Sequence, residues 1–167
     1  LGKVAGRVSL GRFSLTDANI RYAYYGKSDS LQHQKLDTTN LFVEGLAVDT
    51  RLRTYKLDDI RFSTRNLVFP LDNGFYALKV GGIDLTGSSA VIDHIRLISP
   101  YPKMQFAYLQ PHHKDWFDVS VGQVALTGID LPSYFSEKVL RIADVQVSDA
   151  VLQNLKNQKI PVPRRIV

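Results

Sequence analysis

A ten-residue phrase recurs along the chain and restricts its fold more than any other feature: apolar residues stand at its first, third, sixth and eighth positions, and a polar pair closes it. Val8, Leu10, Phe13 and Leu15 make the first copy, closed by Thr16 and Asp17. Leu78, Val80, Ile83 and Leu85 make another, as do Val119, Val121, Val124 and Leu126. Leu140, Ile142, Val145 and Val147 make a fourth, closed by Ser148 and Asp149. Looser copies begin at Leu41 and Tyr55. Alternation inside each half is the period of a strand with one apolar face. Two residues separate the halves where strict alternation would place one, so an unbroken strand would turn its second apolar pair to the opposite face. The spacing predicts a bulge or bend that restores the facing, and Gly11, Gly81 and Gly122 stand where such a bend would want a residue without a Cβ. A two-residue hairpin turn is the competing reading. It suits Gly81 and Gly82, but it suits Asp58-Asp59 and Ala143-Asp144 poorly.

Between the phrases the pattern is irregular. Alternation resumes from Ala18 to Tyr24, and the polar stretch from Gly26 to Asn40 reads as a long loop. Asp72, Asn73 and Gly74 separate two apolar runs and give the best hairpin signal. Ala90 to Leu97 repeats the spacing of the phrase. Ser99 to Lys114 holds Pro100, Pro102 and Pro111 and reads as a loop or edge, with Met104 to Tyr108 as a candidate short strand. Pro132 to Lys138 is a second break with room for one helical turn. Ala150 to Lys159 is the best helical window, yet the phrase makes its start a strand. Unequal spacing argues against a solenoid of fixed coil. The prediction is an all-β antiparallel meander of bulged strands, one domain over residues 1–158 followed by an extended tail over 159–167. Each strand must cover one apolar face. Either a curved sheet forms a groove with an apolar inner wall, or two sheets close into a β-sandwich.

Composition narrows the function classes. The chain has 167 residues, 44% of them apolar and 22% charged, and no Cys, so no disulfide or thiolate metal site is expected. No apolar run approaches the roughly 18 residues of a membrane span. The chain begins Leu1-Gly2, so it is expected to be an excised segment, with any anchor or export signal outside it. The net charge of +5 is spread over Arg7, Arg12, Lys56, Arg61, Lys79, Arg96 and Arg141, which reads as a solvated face, and no nucleic-acid partner is expected. His112 and His113 are adjacent and would point to opposite sides of an extended chain. With only His33 and His94 besides, neither metal nor cofactor is expected. Asp17, Asp49, Asp72 and Asp149 sit at turn positions. Ser88-Ser89 lacks a nucleophile elbow, and Gly81-Gly82 lacks the Lys and helix of a phosphate loop. The chain therefore reads as no enzyme. Tyr24-Tyr25, Phe75-Tyr76, Trp116-Phe117 and Tyr134-Phe135 would each send one ring inward and one outward, as core and edge cover or as a sugar-stacking platform. Arg164 and Arg165 could touch anionic headgroups, but at about 1 kcal/mol each they read rather as a solvated tail.

Over Val8 to Tyr22, Leu78 to Leu97 and Leu140 to Gln158 the chain resembles the AsmA-like family of bacterial envelope proteins. The resemblance runs from about Val4 to Gln158. It is carried by the apolar spacing, the small residue at the bend, and the closing run Ser148, Asp149, Ala150, Val151, Leu152. It implies a repeating β-groove facing the periplasm of a Gram-negative bacterium, normally behind an N-terminal membrane helix. It also implies a part in moving lipids towards the outer membrane or in limiting outer-membrane assembly. On that reading the chain is one portion of a non-enzymatic groove, continued by the remaining segments of a parent protein. Its lining would be Val8, Leu10, Phe13, Leu15, Leu78, Val80, Ile83, Leu85, Val119, Val121, Val124, Leu126, Leu140, Ile142, Val145 and Val147. These would shield phospholipid acyl chains, at roughly 0.8 kcal/mol per methylene removed from water. The alternative is a β-sandwich that binds glycan or protein at a cell surface.

Overall fold

The computed structural model describes residues 6–25, 31–49, 51–52, 54–71, 74–109 and 115–155. The tail from 159, His112, His113, Asp72 and Asn73 lie outside them. Nine strands form one antiparallel sheet: β1 (Arg7–Tyr25), β2 (Leu31–Asp49), β3 (Thr54–Lys56), β4 (Asp59–Pro70), β5 (Ala77–Thr86), β6 (Ser89–Ile98), β7 (Trp116–Thr127), β8 (Asp144–Ser148) and β9 (Val151–Leu155). The strands neighbour one another in sequence order, as a meander should. β3 and β4 share the inner side of β2, and β8 and β9 share the outer side of β7. The sheet does not close on itself, and among the described residues no second sheet packs on it. The sandwich alternative is not what the chain adopts.

The bend inside the phrase is where the fold is decided. The first three clear copies each lie within one strand, β1, β5 or β7, so the hairpin reading fails for them. A line of left-handed residues crosses the sheet: Asp17 in β1, Thr38 in β2, Asn66 in β4, His94 in β6 and Asp149 between β8 and β9, all with φ between 47° and 55°. Gly81 and Gly122 fill the two remaining strands of that line. They do not themselves take positive φ; they make room for neighbours that do. A Cβ on Gly81 would lie 2.8 Å from the His94 Cβ, and one on Gly122 would lie 2.8 Å from that of Asp149. A second, shorter line joins Gly11 to Gly45 in β2, where φ is 64° and the Asp58 side chain fills the space a Cβ would need. Exposure shows the parity change the bend brings about. Arg61 and Val68 in β4, Lys79 and Thr86 in β5, and Ser89 and Arg96 in β6 are all exposed, although each pair is of opposite parity. The apolar set therefore stays on one face along the whole strand.

Four expectations change. Leu31 to Asn40, read as loop, is the first half of β2 and pairs with Ala18 to Tyr25 of β1. Its polar side chains hide a strand that exists because β1 offers it a ladder. Met104 to Tyr108 is not a strand but part of α1 (Lys103–Leu109). The fourth phrase is strand only from Asp144; Leu140 and Ile142 precede β8, where Arg141 is tied to Asp130 by an isolated bridge. Finally, Phe75 and Tyr76 do not face opposite ways. They precede β5, off the strand alternation, and both rings meet Phe106 of α1, at 5.6 and 5.4 Å between centroids. The break after β7 is α2 (Leu131–Glu137), as the room for a helical turn suggested.

Buried apolar residues are few: Leu67, Val80, Ala90, Phe106, Trp116 and Ile129 among those described. Phe106 anchors α1 where β6 ends and β7 begins. There Tyr76 Oη donates to the Asp115 carbonyl at 3.2 Å and accepts from the Phe117 amide at 3.0 Å, while the Lys103 ammonium stands 4.6 Å from the Trp116 ring centre. Burial pushes the Tyr76 phenol up, the hydrogen bond from Phe117 opposes that, and the Asp115 charge adds to it. α2 sits at the other end, after the last residue of β7.

Candidate functional site: an uncovered apolar face

Residues paired across an antiparallel ladder lie on the same face, so the register converts the phrase into rows that run from strand to strand. One row crosses the whole sheet: Leu15, Leu41, Phe62, Leu85, Ala90, Leu126 and Val145. Beside it runs Thr64, Ile83, Ile92, Val124 and Val147. Beyond the line of left-handed residues come Leu67, Val80, Ile95 and Val121, and then Phe69, Leu78, Leu97, Val119 and Leu152. Phe13, Val43 and Ile60 form a shorter row on the α2 side. Thr39 and Thr64, both fully buried, are polar members of this face and satisfy each other through their hydroxyls at 3.1 Å. The Thr64 hydroxyl also reaches the Asp37 carbonyl at 3.2 Å.

Of the expected lining, the rows bring together Phe13, Leu15, Leu78, Val80, Ile83, Leu85, Val119, Val121, Val124, Leu126, Val145 and Val147. Val8 and Leu10 lie beyond the Gly11–Gly45 line and pair with Val48 and Leu46. Leu140 and Ile142 are not in the rows, because their segment is held by Arg141 at the foot of α2. Sequence reasoning missed Leu41, Phe62, Leu67, Ile92, Ile95, Leu97 and Leu152 as lining. The spacing of Ala90 to Leu97 and the looser phrases held that signal, but only the register shows that they share a face.

Among the described residues no layer covers the rows. Val80 alone of the expected lining is buried, at 6% exposure. Leu15, Leu78, Ile83, Leu85, Val119, Val121, Val124 and Leu126 are half-buried, and towards the edges Phe13 is 42%, Val145 53% and Val147 56% exposed. Half-burial without a covering layer comes from crowding along the rows, as expected on the inner side of a bent sheet. Monomeric soluble proteins rarely expose an apolar patch this continuous.

The opposite face is polar and internally paired. Arg12 bonds Glu44 at 2.9 Å, Arg61 bonds Asp59 at 2.7 Å, Arg65 bonds Asp84 at 2.9 Å, Arg96 meets Asp118 at 3.3 Å, and Gln123 donates to Asp93 at 3.0 Å. The Phe42 ring lies between the guanidinium groups of Arg12 and Arg61. Exposed pairs of this kind contribute at most about 1 kcal/mol each, so they mark the solvent side rather than hold the fold. Among the described residues no three His, Asp or Glu side chains gather, and no helix is long and apolar enough to cross a membrane.

At the α2 end the apolar face runs into a pocket of about 370 Å³ lined by Tyr55, Leu57, Ile60, Ile129, Leu131 and Pro132 together with the polar Lys56, Asp58, Asp59 and Ser88. α2 is pinned there by Asp130, whose carboxylate caps it by accepting from the Ser133 amide at 3.1 Å and meets the Ser133 hydroxyl. Arg141 also bonds the Ser133 hydroxyl, and it bonds Glu137 at 2.8 Å. The hydrogen bonds from Ser133, with the nearby Arg141 charge, hold the Asp130 carboxyl below the usual carboxylate range against a smaller desolvation effect. Desolvation raises the Tyr55 phenol above its ordinary value, and the Asp130 charge adds to it. Comparison with known protein families, with curated proteins and with solved structures finds no match to this chain.

Proposed function

We propose that the chain is a non-enzymatic portion of an envelope protein of AsmA-like type, and that its apolar face shields phospholipid acyl chains between membranes of a Gram-negative cell. The observation that carries this reading is the set of apolar rows, continuous over the sheet and left without a covering layer. Acyl chains suit such a face because hydrophobic association is non-directional and scales with the area removed from water. The resemblance of the repeated phrase to that family supports the same reading. So do the two open edges, β1 on one side and β8 with β9 on the other, where remaining segments of a parent protein would continue the sheet.

The test is Val121→Asp, with phospholipid extracted from the purified protein and its melting followed in parallel. On an uncovered face the carboxylate stays hydrated, so the fold survives while lipid retention falls. Unfolding of the variant would mean a closed core, where an unpaired charge costs several kcal/mol. A wild-type protein that carries no lipid while the variant folds equally well would remove the lipid assignment.

A further inference from the structure

We propose that the pocket under α2 receives the methyl end of an acyl chain that lies along the rows of the sheet; this rests on the acyl-shielding reading above. The row Phe13, Val43, Ile60 leads directly into it, since Ile60 belongs both to the row and to the pocket wall. Tyr55 pairs with Val48, which pairs with Val8, so the phenol ring stands on the same apolar side of the sheet. The rest of the wall comes from outside the sheet. Ile129 is buried and fixed by its amide, which donates to the Ser88 carbonyl at 2.8 Å, and Leu131 and Pro132 open α2. The pocket thus closes one end of a face that is elsewhere open.

The lining favours the tail over the headgroup. Its charged groups are already paired, Lys56 with Asp58 at 2.9 Å and Asp59 with Arg61 at 2.7 Å. A phosphate would meet no net positive charge there, whereas methylenes would meet Leu57, Ile60, Ile129 and Leu131. Length also fits. Six strand-to-strand steps in the longest row span roughly 29 Å at about 4.8 Å each. One leaflet of acyl chains occupies about half of a hydrocarbon core roughly 30 Å thick. A chain with its end in the pocket still has the rows beside it to lie along.

Two photoactivatable long-chain fatty acids decide the point, one with a diazirine at the methyl end and one with it near the carboxylate. Each is irradiated with the whole protein, and the labelled peptides are mapped. The methyl-end probe is expected to label residues 55–60 and 129–132, and the other probe to label the rows of β4 to β7. Leu131→Trp fills the pocket and should remove most of the methyl-end label there while leaving labelling of the rows unchanged. Circular dichroism of this variant, matching the wild type, assigns that loss to filling and not to unfolding. Methyl-end label spread along the rows, or unaffected by Leu131→Trp, would overturn the pocket assignment and leave the acyl-shielding reading standing. No label from either probe would overturn both.

Discussion

Asp17, Thr38, Asn66, His94 and Asp149 do at residue scale what the phrase demands. Each takes a left-handed conformation in mid-ladder, which shifts the alternation by one and returns the apolar set to its face. Asp, Asn and His are the non-glycine residues that tolerate this region best, and Thr38 is the costly exception because it is branched at Cβ. Glycine serves the line from the neighbouring strand by leaving space. Gly81→Ala therefore forces its Cβ onto that of His94 and should cost about 1–3 kcal/mol in urea unfolding. Gly11 has nothing within 4 Å of an added Cβ, so Gly11→Ala should leave stability unchanged or raise it by about 0.5 kcal/mol. Equal losses at the two positions would contradict the role given to the line. The phrase made the need for a bend legible, and it pointed rightly to Gly81 and Gly122 but not to Gly11, where a Cβ would meet open space. It could not say that the strained residue belongs to the adjacent strand, because that depends on register.

At the scale of elements, the strands with a regular apolar period were readable and the others were not. β5, β6 and β7 announce themselves. The first half of β2 does not, since Gln32, His33, Gln34 and Lys35 show no apolar period and become strand only by pairing with Ala18 to Tyr25. α1 was hidden by the prolines around it, one of which, Pro102, accepts from the Phe106 amide at its first turn. α2 is better marked, with Asp130 before Leu131 and Pro132 as a capping signal. Its cap makes a pH prediction. Because the folded Asp130 carboxyl titrates below its unfolded value, its contribution is complete above the ordinary carboxylate range and is lost as pH falls through the lowered value. Protection of the Ser133 and Tyr134 amides, measured against their intrinsic exchange rates, should fall in acid before the strands of β5 to β7 open, and Asp130→Ala should show that low protection already at neutral pH. Protection at those amides that persists in acid until the whole sheet opens would show that the cap does not hold α2.

At the scale of the whole fold, the deciding fact is that rows of apolar side chains cross one open sheet with, among the described residues, only short helices at its two ends. The sequence left groove and sandwich open, because both require the same inward residues, and one-face periodicity is silent on what covers that face. The register resolves the arrangement of the rows, and exposure shows no second layer on them among the described residues. The central claim, that this face meets lipid, is tested most directly by environment-sensitive probes on its two sides. The chain has no Cys, so single substitutions give unique attachment points. A fluorophore on Val124→Cys reports the apolar face, and one on the adjacent Ala125→Cys reports the polar face. With phospholipid vesicles added, the Val124→Cys emission should shift to the blue and become shielded from aqueous quencher, while the Ala125→Cys emission stays unchanged. A Val124→Cys probe that remains as exposed to aqueous quencher with vesicles as without them would contradict the account.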